Sequence, residues 1–280
     1  MRSALRAWRP LVLLALLPAL AGAAEAPRQA SGKFEGKNWT FEPFGAYAFP
    51  SEVGMDDEPG IRVAVSNSGF LAEKLDRYHD RQHVIDTFFA DGETLVVYFD
   101  FGKNGAYKGM SYYFGSGDGC GYCYDGSVVS TVKIEKGRLK GKVKLAPKPD
   151  ENSWDIDLDV PVAPDTWGKP LPADGGDPGK AYLAFHAALG AGDKAALAPL
   201  LPEDSQAPFK ENPEGEMDAY RKDHPDQAAK VVQGWVDGER ALLLVHGETH
   251  YGKVETEVHL VREKGTWRVS NEVLQMRMGG

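Results

Sequence analysis

The chain is short of most features that would announce a chemistry. Two cysteines in 280 residues exclude a scaffold built on several disulfides. No Gly-rich phosphate loop, no Gly-x-Ser-x-Gly elbow and no coherent Ser/His/Asp set occurs. Gly115-Ser-Gly-Asp-Gly119 has the composition of an anion-binding loop, but no helical pattern follows it. Beyond Leu20 no apolar run is long enough to cross a bilayer. Positive charge is scarce: 32 Lys and Arg face 41 Asp and Glu, a net −9 at pH 7. Such a surface repels phosphate backbones and anionic headgroups, so nucleic acid and membrane surfaces are excluded as partners. Lysines do cluster from Lys133 to Lys148, but their spacing suits a solvated strand face with protected edges.

What is present is globular. Hydrophobic residues make up 42% and charged residues 26%, which separates the chain from disordered sequences. Its length suits one large or two ordinary domains. The N-terminus carries the pattern of an export signal. Arg2, Arg6 and Arg9 precede an apolar run, Leu11–Leu20, and Ala21-Gly22-Ala23 forms a small-x-small cleavage site. The expectation is a periplasmic or secreted protein with no membrane insertion once residues 1–23 are removed. No cysteine lies at that point to carry a lipid. Cleavage takes away three arginines and no acid, so the net −9 becomes −12.

From Ser31 to Val162 the chain reads mainly as strands. Phe34–Phe41, Ile61–Val65, Thr94–Phe101, Met110–Phe114, Ser127–Ile134, Leu139–Leu145 and Trp154–Val160 are candidates, separated by Gly, Asn and Asp turn signals. In Trp154–Val160 the alternation is strict, with one apolar and one acidic face. Phe70–Phe89 departs from this pattern: Leu71, Leu75, Tyr78, Val84, Ile85 and Phe88 fall closer to helical spacing. One or two short helices covering the end of a β-sandwich or barrel are expected there. Residues 163–176, with Pro164, Pro170, Pro172 and Gly175-Gly176, read as an interdomain linker.

The second domain, 177–280, is expected to begin with Asp177 as N-cap and Pro178 in the first turn. Tyr182, Phe185, His186 and Leu189 share one helix face. Gly190 and Gly192 end this helix, and Asp193 caps a second one that buries Leu197, Leu200 and Leu201. A third helix falls around Met217 and Tyr220. Four strands follow, at 229–236, 241–248, 254–262 and 267–274.

These features resemble the nuclear-transport-factor-2-like superfamily, also called SnoaL-like or ketosteroid-isomerase-like. The features that carry the resemblance are the helix with Phe185 and Leu189, the Gly192-Asp193 step, and the closing Gly265-Thr-Trp267-Arg-Val269 strand. It covers residues 177–276 and implies an α+β cone, helices on one side of an antiparallel sheet. The 31–162 part is similar to exported β domains of unassigned role. The expected fold class is therefore α+β, with an N-terminal β-sandwich or barrel carrying a short helical insertion, followed by the cone. Members of the superfamily include isomerases, dehydratases and non-catalytic binding modules. In the isomerases an Asp base works with a Tyr and a protonated acid, and that set has no match here, so no catalytic residue is assigned.

Cys120-Gly-Tyr-Cys123 is read as a structural disulfide in an oxidising compartment. The strand–CxxC–helix setting of redox enzymes is missing. So short a bridged loop contributes only about 2 kcal/mol. His79 and His83 would share a helix face at i, i+4, with Asp76 and Asp80 nearby, yet an exposed charged face explains them better than a metal site. His246, His250 and His259 read as outward positions of an antiparallel sheet. His186 has the strongest claim to the cone interior, with Tyr182, Tyr220 and Trp235 as companions lining a ligand site. No metal and no cofactor is implied. The expected function is non-catalytic binding of a small molecule or an envelope protein. The competing expectation is a cone-cavity enzyme of isomerase, dehydratase or hydrolase type with His186 as acid or base.

Overall fold

In the computed structural model the described residues are 29–35, 40–54, 56–88, 94–114, 119–123, 126–147, 151–165, 167–222, 227–249 and 252–276. The alternation at Trp154–Val160 has its predicted consequence. The strand carrying it buries Trp154, Ile156, Leu158 and Val160 and turns Asp155, Asp157 and Asp159 toward solvent. In chain order the first strands are β1 (Ala30–Glu35), β2 (Thr40–Phe41), β3 (Gly45–Val53) and β4 (Glu58–Ser66). Helices α1 (Ala72–Leu75) and α2 (Arg81–Phe88) follow. After them come β5 (Leu95–Gly102), β6 (Tyr107–Phe114), β7 (Gly119–Cys123), β8 (Val129–Ser130), β9 (Lys133–Glu135), β10 (Arg138–Leu145) and β11 (Ser153–Pro161).

These strands form two antiparallel sheets. One runs β2-β1-β11-β10-β8, with β9 also on β10, and the other runs β3-β4-β5-β6-β7. A single apolar cluster joins them: Phe34, Trp154, Ile156 and Val143 from the first sheet meet Val63, Val97, Phe99 and Phe101 from the second. The second sheet is buried on both faces. Its far side packs Tyr47, Phe49, Val96 and Tyr98 against Leu75, Val84 and Ile85 of the two helices. The helices therefore cover a sheet face and not the end of the strands, as their sequence position suggested. The reason is the composition of β3 to β5, which has apolar residues on both sides.

The C-terminal part contains β12 (Lys169–Pro170), α3 (Gly176–Ala191), α4 (Lys194–Leu197) with a single 3-10 turn after it, α5 (Glu203–Glu211), α6 (Pro213–Lys222), β13 (Gln227–Asp237), β14 (Arg240–Thr249), β15 (Gly252–Glu263) and β16 (Thr266–Met276). The sheet order is β12-β13-β14-β15-β16, with antiparallel pairs throughout. The helices pack on one face, where Tyr182, Phe185, Leu189, Leu197, Phe209 and Met217 meet Leu243, Val245, Val258, Leu260 and Val269. Asp193 caps α4, its side chain accepting from Ala196 N at 3.0 Å. α3 starts one residue ahead of Asp177, after Gly175 at φ 76°, so Asp177 sits in the first turn and is not the cap. Gly192 ends the helix at φ 69°, a left-handed position that suits glycine.

The stretch read as a linker is largely built into the structure. Ala163 N donates to Ala48 O at 2.8 Å, β12 adds an edge strand to the C-terminal sheet, and the Trp167 indole donates to Tyr78 O at 3.1 Å. Across the whole chain the architecture is mixed and rich in antiparallel strands. Among the described residues no helix is long and apolar enough to cross a membrane.

Candidate functional site

The face of the C-terminal sheet opposite the helices carries a buried polar cluster. β15 alternates, so Val258 and Leu260 turn toward the helices while Glu257 and His259 turn away. Glu257 is 1% exposed. Its two carboxylate oxygens accept from the backbone N–H groups of His79 and Asp80, at 2.9 and 3.1 Å, and from His259 Nε2 at 2.8 Å. These amides lie just before α2. Asp80 caps the same helix start, accepting from His83 N at 2.9 Å. A carboxylate from the C-terminal sheet thus takes the two N–H groups at the entry to an N-terminal helix and lies at its positive dipole end.

Aromatic rings close around this contact. The His79 ring lies 4.8 Å from that of Trp167 and 5.7 Å from that of Trp235. Tyr78 packs on His259 at 4.7 Å. Burial holds the Tyr78 phenol above its ordinary pKa, and the neighbouring Glu257 charge pushes the same way. Arg81, 2% exposed, donates to Pro164 O at 2.8 Å and sits 5.3 Å over the Trp167 ring.

Beside this contact a cavity of about 400 Å³ opens to solvent. Asp76 and Arg77 line it from the N-terminal half, Trp167 from the connecting stretch, and Asp237, Arg240 and His259 from the C-terminal sheet. Leu242 and Val261 supply an apolar floor. The volume lies within the range of small-molecule sites.

The helix-side face of the same sheet holds a smaller polar set. Tyr182 is completely buried, and the Glu272 carboxylate on β16 lies near its phenol. Burial and that carboxylate both raise its pKa, so the phenol keeps its proton. His186 is half-buried, its ring 6.3 Å from that of Tyr182. Thr256, also completely buried, has no hydrogen-bond partner for its hydroxyl among the described residues.

The predicted site residues therefore divide. Tyr182 and His186 do share the helix-side face. Trp235 does not join them. Its register with Leu242 turns it to the opposite face, against His79 and Trp167. The backbone of Tyr220 lies in α6 and that of Cys120 and Cys123 in β7, but their side chains fall outside the described residues, and so does the expected disulfide. His79 precedes α2 while His83 lies within it, so the two do not form an i, i+4 pair on one helix. His246 and His259 each take a separate carboxylate, Glu255 and Glu257, both at 2.8 Å. His250 lies outside the described residues, and no group of three metal-ligating side chains occurs among the described ones.

Sequence reasoning missed Glu257 and Glu272. Glu257 reads as an outward polar position because its partners lie 177 and 178 residues away. Glu272 points inward because β16 carries one extra residue opposite His259–Leu260, which reverses the faces beyond Val269. No protein-family model matches this chain, and no curated protein matches it.

Proposed function

We propose that this is an exported ligand-binding protein without catalysis, whose ligand sits in the groove between its two halves. In this reading a β-sandwich with a two-helix cover precedes a nuclear-transport-factor-2-like cone. The cone presents its outer sheet face to the partner domain and keeps its inner face packed with helices. The cavity of about 400 Å³ lined by both halves carries the proposal. The buried contact at Glu257 supports it, because it fixes the two walls relative to one another. A protein partner in the envelope would dock on the same rim.

The test is to express the chain with its leader, purify it from the cell envelope and examine it by native mass spectrometry. The expected result is a mature chain beginning at Ala24 that retains a small molecule, which Arg240→Glu and Trp167→Ala release. Hydrogen exchange locates the ligand: protection at residues 76–78 and 237–242 supports the groove. A second reading keeps the cone as an enzyme, with Glu272 as base beside the Tyr182 donor and His186. The Glu272 carboxylate beside the buried Tyr182 phenol favours it. Protection confined to α3 and β16, with turnover lost in Glu272→Gln, would replace the binding proposal with this one.

A further inference from the structure

We infer that the groove takes a zwitterion, a free amino acid or short peptide that carries an ammonium, a carboxylate and an apolar side group. The inference rests on the groove being the binding site. Its basis is where the molecule leaves charges unpaired. Arg62, Arg138, Arg262 and Arg268 each hold a carboxylate within 3.3 Å, and Arg221 holds one at 3.9 Å. Arg77 and Arg240, which line the groove, hold none among the described residues, and neither does Arg81, which donates to Pro164 O instead. The turn between β13 and β14 shows the contrast locally. Glu239 binds Arg262 through two bonds of 2.7 Å. Asp237 and Arg240 face each other in register across the same turn, yet form no ion pair with each other.

Each side of the groove thus offers one acid and one base: Asp76 with Arg77, and Asp237 with Arg240. Asp76 already accepts from the Tyr47 hydroxyl at 2.6 Å, which fixes its carboxylate and leaves its charge uncancelled. An anion or a cation alone would meet one partner and one repulsive neighbour. A molecule with both charges can satisfy both kinds of group at once. The long-range field points the same way. A mature chain of −12 repels anions at a distance, whereas a ligand of zero net charge is not repelled. The Leu242 and Val261 floor and the Trp167 wall accept an apolar side group.

The test is calorimetric titration of the full mature chain with four probes: leucine, the dipeptide Ala-Leu, N-acetylleucine and leucinamide. Leucine or Ala-Leu binds, and capping either charge weakens binding by about tenfold or more. Tighter binding of Ala-Leu than of leucine identifies a peptide as the source, and the reverse order identifies a free amino acid. Arg240→Gln and Asp237→Asn lie on an exposed turn, and each weakens the zwitterion while leaving the circular dichroism unchanged. N-acetylleucine or leucinamide binding as tightly as leucine, with sensitivity to Arg240→Gln or Asp237→Asn retained, overturns the zwitterion and leaves the groove standing. No binding by any probe also overturns the zwitterion. Binding that ignores both substitutions and protects α3 and β16 overturns the groove as well.

Discussion

Opposite charges are arranged in two very different ways in this molecule. On the outer face of the first sheet, β10 and β11 run in register so that Lys140, Lys142 and Lys144 lie among Asp155, Asp157 and Asp159, with ion pairs of 2.7–3.1 Å. Every member of that ladder is at least two-fifths exposed. Beneath the helices and at the contact between the halves the pairs are few and buried. Asp100, 2% exposed, binds Arg62 through bonds of 2.7 and 2.8 Å, and Glu257 grips the start of α2. The ladder has more pairs and the shorter sequence spacing. The buried groups hold the architecture, because a charge removed from water depends on its partners and an exposed one does not.

The largest break in that comparison is Glu257→Ala. It leaves two backbone N–H groups and His259 without their acceptor in a buried site. Stability should fall by about 3 kcal/mol, read as a lower urea midpoint. Glu257→Gln keeps an acceptor and should recover part of the loss. An Ala variant as stable as the parent would show that the two halves are held by their apolar and aromatic contacts alone.

Asp100→Ala comes next, at roughly 2–3 kcal/mol. Arg62 then keeps only Gln82 among the partners found for it and stays largely buried. The double variant Arg62→Met/Asp100→Ala should be more stable than Asp100→Ala, because no unpaired charge remains.

Acidity separates the two regions by sign. Burial raises the Asp86 carboxyl above its ordinary value near 3.8, against an opposing hydrogen bond from the Tyr98 hydroxyl at 2.5 Å. The folded state therefore holds the Asp86 proton more tightly than the unfolded state does. The stability it contributes is fully present below that ordinary value and is lost as pH rises through the raised folded value. Asp86→Asn keeps an acceptor for Tyr98 and removes the titration. It should match or exceed the parent at pH 7 and lose its relative advantage toward pH 4, as followed by urea midpoints across pH. A constant difference between the two chains over that range would refute the assignment.

The regularity of the chain was legible in proportion to how local its causes are. The alternation of β11, the four closing strands and the Asp193 cap all depend on neighbours a few residues apart, and each was readable. β3 was not, because Gly45–Phe49 is buried on both faces and shows no period. Nor was β12, two residues that pair with β13 from across a Pro-rich stretch. The site failed for the same reason. His186 and Tyr182 follow from helical spacing. Placing Trp235 inward needed a register that irregular pairing within β13 changes, and Glu257 has meaning only once residues 79 and 80 are brought beside it.

The smallest effect belongs to the ladder, and it sharpens the comparison by its size and by its salt dependence. Hydrogen bonds from Arg138 and Lys140 hold the Asp159 carboxyl below its ordinary value, and Lys142 and Lys144 do the same for Asp155. The sign is opposite to that of Asp86. What these groups contribute is present above the ordinary carboxylate value and is lost as pH falls through their lowered folded values. Solvent screens both carboxylates, so Lys142→Ala or Asp159→Asn should shift the thermal midpoint by little more than the scatter between replicate melts. What remains should vanish in 1 M salt, where screening acts over about 3 Å, while the loss in Glu257→Ala should persist there. A ladder variant with a large, salt-resistant loss would mean that these lysines and aspartates are covered in the working protein, and the line between exposed and buried charge would have to be redrawn.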